Sequence, residues 1–141
     1  MNNNFKCDNW CILQTNIRGY SLKAYSLQSV VNNVDVVTIN ETHLKNERKL
    51  ELPGFTCYNM NRKGVNGGGI ATCMKDKDAM NTLKVFERLN DDEVLITRHG
   101  QFETAVNVIN FYGSQECRTR RNKILENWGI VFQEISKIEL R

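Results

Sequence analysis

The sequence predicts a mixed α/β fold, a β-sheet packed on covering helices. Three observations carry this: a strand–helix–strand opening, several short strands with no helix between them, and an amphipathic closing segment. Residues 10 to 16, Trp-Cys-Ile-Leu-Gln-Thr-Asn, read as a short buried strand. A turn at Gly19 leads into a segment with Leu27, Val30, Val31 and Val34 at i, i+3, i+4 and i+7, which is helical spacing. Asp35 then opens Val36-Val37-Thr38-Ile39-Asn40, a β-branched run of strand length that ends at Glu41. Strand, helix and strand make a βαβ unit.

Downstream the pattern changes. Phe55 to Met60, Gly69 to Met74, Thr82 to Phe86, Glu93 to Arg98 and Thr104 to Phe111 predict antiparallel hairpins or a meander. From about Thr119 to Ile138, Ile124, Trp128, Val131, Ile135 and Ile138 share one stripe with Leu125 and Phe132 beside it, so a closing helix should cover a sheet.

Composition narrows the setting. At 141 residues with 40% hydrophobic and 25% charged content, the expectation is one domain over 1–141, structured over about 10–138. No run approaches the roughly 20 apolar residues that span a bilayer. The opening MNNNFK has no apolar core of signal-peptide type. No membrane partner is therefore expected, and the location expected is intracellular, the nucleus included. Five cysteines, an odd number with no C-x-x-C pair, argue against a disulfide framework or a zinc ribbon and for free buried thiols. A net charge of +3 permits a polyanionic partner without requiring one.

If the strands ending at Asn16 and Glu41 are parallel neighbours, both side chains stand at one carboxyl edge of the sheet, where open α/β sheets bind ligands. An amide oxygen and a carboxylate are hard donors that suit Mg²⁺, which keeps several waters and leaves room for phosphate. The plain alternative is that both residues serve as turn-makers and solvated strand caps.

Four segments, in order across residues 12 to 113, carry a family resemblance. Ile12-Leu13-Gln14-Thr15-Asn16-Ile17-Arg18 is similar to the opening strand of the endonuclease/exonuclease/phosphatase family. Val37-Thr38-Ile39-Asn40-Glu41-Thr42-His43-Leu44 resembles its second motif, a hydrophobic strand ending in Glu-Thr-x-Leu. Gly68-Gly69-Ile70-Ala71, preceded by Arg62, is similar to its Gly-Gly-Val-Ala strand, and Val108-Ile109-Asn110-Phe111-Tyr112-Gly113 to the strand ending in Asn-x-Tyr. The nearest likeness is to the endonuclease domain of non-long-terminal-repeat retrotransposons. Ser114 stands where proline usually follows in that family.

The resemblance implies the N-terminal half of a DNase I-like, four-layer α/β sandwich and Mg²⁺-dependent hydrolysis of DNA phosphodiesters, with Mn²⁺ as an alternative cation. It implies Asn16 and Glu41 as metal ligands, and Tyr112 beside them at the scissile phosphate. The family's later Gly-Asp-x-Asn and Ser-Asp-His motifs have no counterpart among the 141 residues. A complete site would then need the C-terminal half as partner, and the chain alone is expected to be inactive and to expose apolar surface. The alternatives are a non-catalytic remnant that binds nucleic acid and a phosphatase on the same fold.

The remaining candidates have plainer readings. Gly67-Gly68-Gly69 lacks the Gly-Lys-Ser/Thr ending of a phosphate loop and precedes a strand, so a hairpin turn is favoured over a phosphate cradle. Arg62, Arg118, Arg120 and Arg121 are candidates for DNA contact. The last three, with Lys123, sit where the closing helix begins, an end unfavourable to cations unless a phosphate offsets it. Side chains splayed into water are the alternative. His43 and His99 read as surface or supporting residues. His43 should face away from Glu41 if the extended backbone continues.

Overall fold

The structure is a computed structural model, and it describes residues 10–62, 67–81, 83–89, 92–99, 106–112, 129, 130 and 133. Strand β1 (Ile12–Asn16), helix α1 (Tyr20–Val30) and strand β2 (Val36–Asn40) form the expected βαβ unit, with β1 and β2 parallel and in register from Ile12↔Val36 to Asn16↔Asn40. Strands β3 (Phe55–Met60) and β4 (Ile70–Lys75) form an antiparallel hairpin whose β4 also pairs with β2, which gives a four-stranded mixed sheet of order β1-β2-β4-β3. A 3-10 turn (Asp76–Asn81), absent from the sequence reading, leads to a second sheet. There β5 (Leu83–Leu89), β6 (Asp92–His99) and β7 (Val106–Tyr112) form the expected antiparallel meander. Residues 129, 130 and 133 are helical; the other residues over which a closing helix was expected, Arg118, Arg120, Arg121 and Lys123 with them, lie outside the described residues.

Strand β2 is buried along its whole length, which its unbroken Val-Val-Thr-Ile run suits, because both faces of the sheet are covered. On one face Val37 and Ile39, with Ala71 and Cys73 of β4, pack under Tyr20 and Leu27 of α1. On the other face Val36 and Met74 meet Val108 of β7. Fully burying side chains such as Ile39 and Ile70 stabilises the fold by about 1.5–3 kcal/mol each.

The helix departs from its expected stripe. It ends at Val30, which is 63% exposed, while Val31 and Val34 reach the core from the connection beyond it. With only Tyr20, Ala24 and Leu27 turned inward at i, i+4 and i+7, the outer side carries Leu22 and Tyr25, 93% and 89% exposed. The apolar spacing counted residues on both sides of a helix end, and spacing alone does not mark where a helix stops.

Residues Val108, Asn110 and Tyr112, two apart on β7, share the face turned toward the first sheet. Asn110 is 3% exposed, and its side-chain amide donates to the Ile39 and Ala71 carbonyls at 3.2 and 2.8 Å. Those two residues are register partners on β2 and β4, so one amide ties β7 to both strands. No helix among the described residues is long and apolar enough to cross a membrane.

Candidate metal and phosphate site

Three loops leave the same edge of the first sheet, and backbone hydrogen bonds lace them together. Ile17 N–H donates to the Asn40 carbonyl at 3.0 Å, Gly19 N–H to Glu41 at 2.9 Å and Tyr20 N–H to Thr42 at 2.8 Å. From the other side, Thr42 N–H donates to Gly69 at 3.1 Å and His43 N–H to Gly68 at 2.9 Å. The loop of residues 41–43 is thereby held between the end of β1 and the glycine loop that enters β4. Parallel pairing sets Asn16 opposite Asn40, one residue before Glu41, so the two predicted strand tips are neighbours.

Glu41 does not continue the strand. Alternation would send its side chain to the helix face with Val37 and Ile39, but its φ of 57° reverses the backbone. The carboxylate instead meets the second sheet, where the Tyr112 hydroxyl donates to Oε1 at 2.5 Å. The expectation that His43 faces away assumed an extended backbone, and that assumption fails, since His43 also has a positive φ, 56°. Its exposed ring lies between two loops, with Nδ1 3.7 Å from where a Cβ on Gly19 would stand and Nε2 3.9 Å from the same point on Gly67. Arg18 (φ 47°), Glu41 and His43 are non-glycine residues in the left-handed region, a conformation that costs about 1–3 kcal/mol each and persists where surrounding contacts impose it.

Arg18 and Arg62 both stand at this edge of the sheet. Arg18 Nε lies 3.9 Å from Glu41 Oε2, with the arginine side chain 79% and the glutamate side chain 20% exposed. Arg62 is half-buried, its guanidinium laid against Gly68 so closely that a Cβ there would lie 2.8 Å from Nη2 and nearer still to Nε. A Cβ on Gly69 would collide with Thr42 Oγ1. The glycine run is therefore a hairpin connection, as expected, and its bare backbone also seats an arginine beside the site.

Of the residues singled out from sequence, Asn16, Glu41, Tyr112 and Arg62 gather at this edge. Sequence reasoning missed Arg18, although it adjoins the first motif. It also missed Asn40, 8% exposed, whose Oδ1 has no hydrogen-bond partner among the described residues. Register with Asn16 was the available signal for Asn40.

Among the described residues no three His, Cys, Asp or Glu side chains gather as a metal cluster. One carboxylate, half-shielded and oriented by a tyrosine, beside an exposed asparagine amide instead suits a cation that takes one or two protein oxygens and retains water and substrate phosphate, as Mg²⁺ does.

No family model and no curated protein matches the chain. Among solved structures it is similar to a 3′ phosphatase, NExo from Neisseria, bound to product DNA hairpin, with 18% sequence identity and a TM-score of 0.56 over 92% of this chain. The chain spans about half, 52%, of the length of that structure. With the mixed sheet and its covering helix, this likeness gives the chain a DNase I-like α/β fold.

Proposed function

We propose that this chain supplies the cation-binding side of a Mg²⁺-dependent hydrolase acting on DNA phosphate esters. The observation that carries the reading is the Tyr112–Glu41 hydrogen bond, which joins two motif residues 71 positions apart at the edge where Asn16 also stands. Glu41 and Asn16 would hold the cation, Mg²⁺ or Mn²⁺. When bound, it supplies Lewis-acid polarisation of a phosphoryl oxygen. Tyr112 restrains the Glu41 carboxylate through Oε1 and lines the position of the reacting phosphate. Arg62 adds positive charge beside that position. The base that activates water is not among the residues that the resemblance maps onto this chain, so the chain by itself is proposed to be inactive, with the catalytic remainder supplied by a C-terminal half.

The motif likeness favours a nicking endonuclease of the retrotransposon type. A second reading, a 3′ phosphatase, is favoured by the structural likeness to a protein of that activity. A third, a nucleic-acid-binding remnant, shares the site but not the chemistry. Plasmid nicking and phosphate release from a 3′-phosphorylated oligonucleotide, both with Mg²⁺ and with Glu41→Ala as control, separate them. Nicking by this chain that Glu41→Ala abolishes supports the endonuclease and refutes inactivity. Release of phosphate without nicking supports the phosphatase. Neither activity at high protein concentration fits an inactive half and a binding remnant alike, and Mg²⁺ binding that Glu41→Ala abolishes then supports the half-site, whereas DNA binding without Mg²⁺ binding supports the remnant.

A further inference from the structure

We infer that Cys57 and Cys73 are a peroxide-oxidisable dithiol that closes to a disulfide across the β3–β4 hairpin. The site lies apart from the Glu41 edge and does not rest on the proposed function. The two residues are register partners on antiparallel strands, so their side chains leave the same face of the sheet. That face lies under α1, where Cys73 belongs to the core and the half-buried Cys57 packs against it.

The ladder decides whether sulfur can meet sulfur. Asp76 N–H donates to the Gly54 carbonyl at 3.0 Å, and these two residues stand one step beyond the Phe55↔Lys75 pair, so they are a hydrogen-bonded pair. Hydrogen-bonded and non-hydrogen-bonded pairs alternate along an antiparallel ladder, which makes Phe55↔Lys75 and Cys57↔Cys73 non-hydrogen-bonded pairs. Lys75 agrees, since its N–H donates the other way, to the Asp35 carbonyl at 2.9 Å. Such pairs bring opposite Cα atoms to about 4.5 Å with their side chains close, within the roughly 4.4–6.8 Å that a disulfide spans. The sulfurs already meet, because the Cys73 thiol donates a hydrogen bond to Cys57.

The two sulfurs differ in access. Cys57 is half-buried on β3, the edge strand of the first sheet, where a small oxidant reaches it, while Cys73 is fully buried and keeps its proton. Cys57, as thiolate, attacks one oxygen of hydrogen peroxide. The O–O bond breaks, the other oxygen leaves as hydroxide and is protonated to water, and Cys57 becomes a sulfenic acid. The Cys73 sulfur then attacks the Cys57 sulfur, the S–O bond breaks, and the departing hydroxide takes the Cys73 proton as a second water. Two thiols give up two electrons, and the peroxide accepts them.

The test is peroxide treatment of the reduced full chain, dilute and without denaturant, then alkylation of the remaining thiols, trypsin digestion without reductant and mass spectrometry. Cleavage after Arg62 puts Cys57 and Cys73 on separate peptides, so the bridge appears as their linked pair and disappears on reduction. Cys11→Ser, which removes an exposed thiol, should leave the bridge unchanged. Cys73→Ala should leave Cys57 as a sulfenic acid that dimedone traps, and Cys57→Ser should leave Cys73 a thiol, with circular dichroism checking that both variants fold. The parent alone decides the bridge, and the variants assign the order of attack. Cys57 and Cys73 both recovered as thiols after peroxide has oxidised Cys11 overturns the dithiol, as does Cys57 linked to a different cysteine. A bridge that forms only in urea overturns it too, because strand register would then not be what joins the pair.

Discussion

Tyr112 reaches across from the second sheet to donate its hydroxyl proton to Glu41 Oε1, at 2.5 Å, and Glu41 meets it only because a left-handed backbone turns the carboxylate off the helix face of its own strand. Removing the hydroxyl leaves the cation ligands in place but frees the carboxylate to rotate. Tyr112→Phe should therefore weaken Mg²⁺ or Mn²⁺ binding by about tenfold to a hundredfold, as loss of a ligand-orienting partner does, and Glu41→Ala should abolish it. Isothermal titration calorimetry reads both. Equal affinities for Tyr112→Phe and the parent would mean that the bond does not orient the ligand.

Gly54 and Gly69 separate backbone strain from steric conflict. Both have positive φ, 82° and 87°, but a Cβ on Gly54 would meet nothing within 4 Å, while one on Gly69 would strike Thr42 Oγ1. Gly69→Ala should be the more destabilising by about 1–3 kcal/mol in urea unfolding, the cost of forcing extra volume into a filled space. It should also weaken cation binding, because Thr42 follows Glu41. Equal losses for the two variants would place the cost in the backbone alone.

Asn110 is a test of the sheet-to-sheet tie. Asn110→Ala removes the donors to the Ile39 and Ala71 carbonyls and should cost about 1–3 kcal/mol. Asn110→Asp should cost more, since a buried carboxylate offers no proton to those carbonyls and is itself desolvated. A chemical-denaturation series that ranks Ala below Asp in stability would contradict this geometry.

Alkaline stability should depend on Tyr20 and Cys73. Burial pushes the Tyr20 phenol from its usual 10.0 up to about 12, helped by Cys73, Cys57 and Glu51, and its hydroxyl donates to the Glu51 carbonyl. A hydrogen bond with its cross-strand partner Cys57, then burial, holds the Cys73 thiol well above 9.0. Both groups keep their protons in the folded chain at pH values where the unfolded chain has released them. Their contributions are thus complete below about pH 9 and decline above it, with Tyr20 alone withdrawing roughly 2–3 kcal/mol between pH 10 and 12. Urea midpoints measured from pH 7 to 12 should fall in that window, and Tyr20→Phe should flatten the fall above pH 10. A parent and variant with parallel profiles would remove Tyr20 from the account.

Leu22 and Tyr25, one helical turn apart on the outside of α1, are exposed apolar groups that contribute little to the folded core. Leu22→Ser and Tyr25→Ser should change stability by no more than about 0.5 kcal/mol and lower binding of a hydrophobic dye. Dye binding that survives the double substitution would locate the accessible apolar surface elsewhere.

Much of the architecture was legible because it is written in local patterns. The β-branched run at residues 36–40 reads as a strand, the change from helical to strand spacing marks where the antiparallel strands begin, and Asn110-Phe111-Tyr112 displays the two-residue period that sets Asn110 and Tyr112 on one face. The sequence by itself thus determined the succession of elements along the chain and the βαβ opening, and the structure meets the condition of parallel pairing between β1 and β2 on which the meeting of the Asn16 and Glu41 tips depended. Only the tertiary structure decided which way Glu41 and His43 turn, that Arg62 lies on Gly68, and that Val30 faces solvent while Val31 and Val34 are buried. The physical reason is one of range. Alternation and helical spacing follow from neighbouring residues, whereas a left-handed turn at a non-glycine residue is unfavourable locally and is imposed by partners distant in sequence, here the glycine loop on one side and Tyr112 on the other.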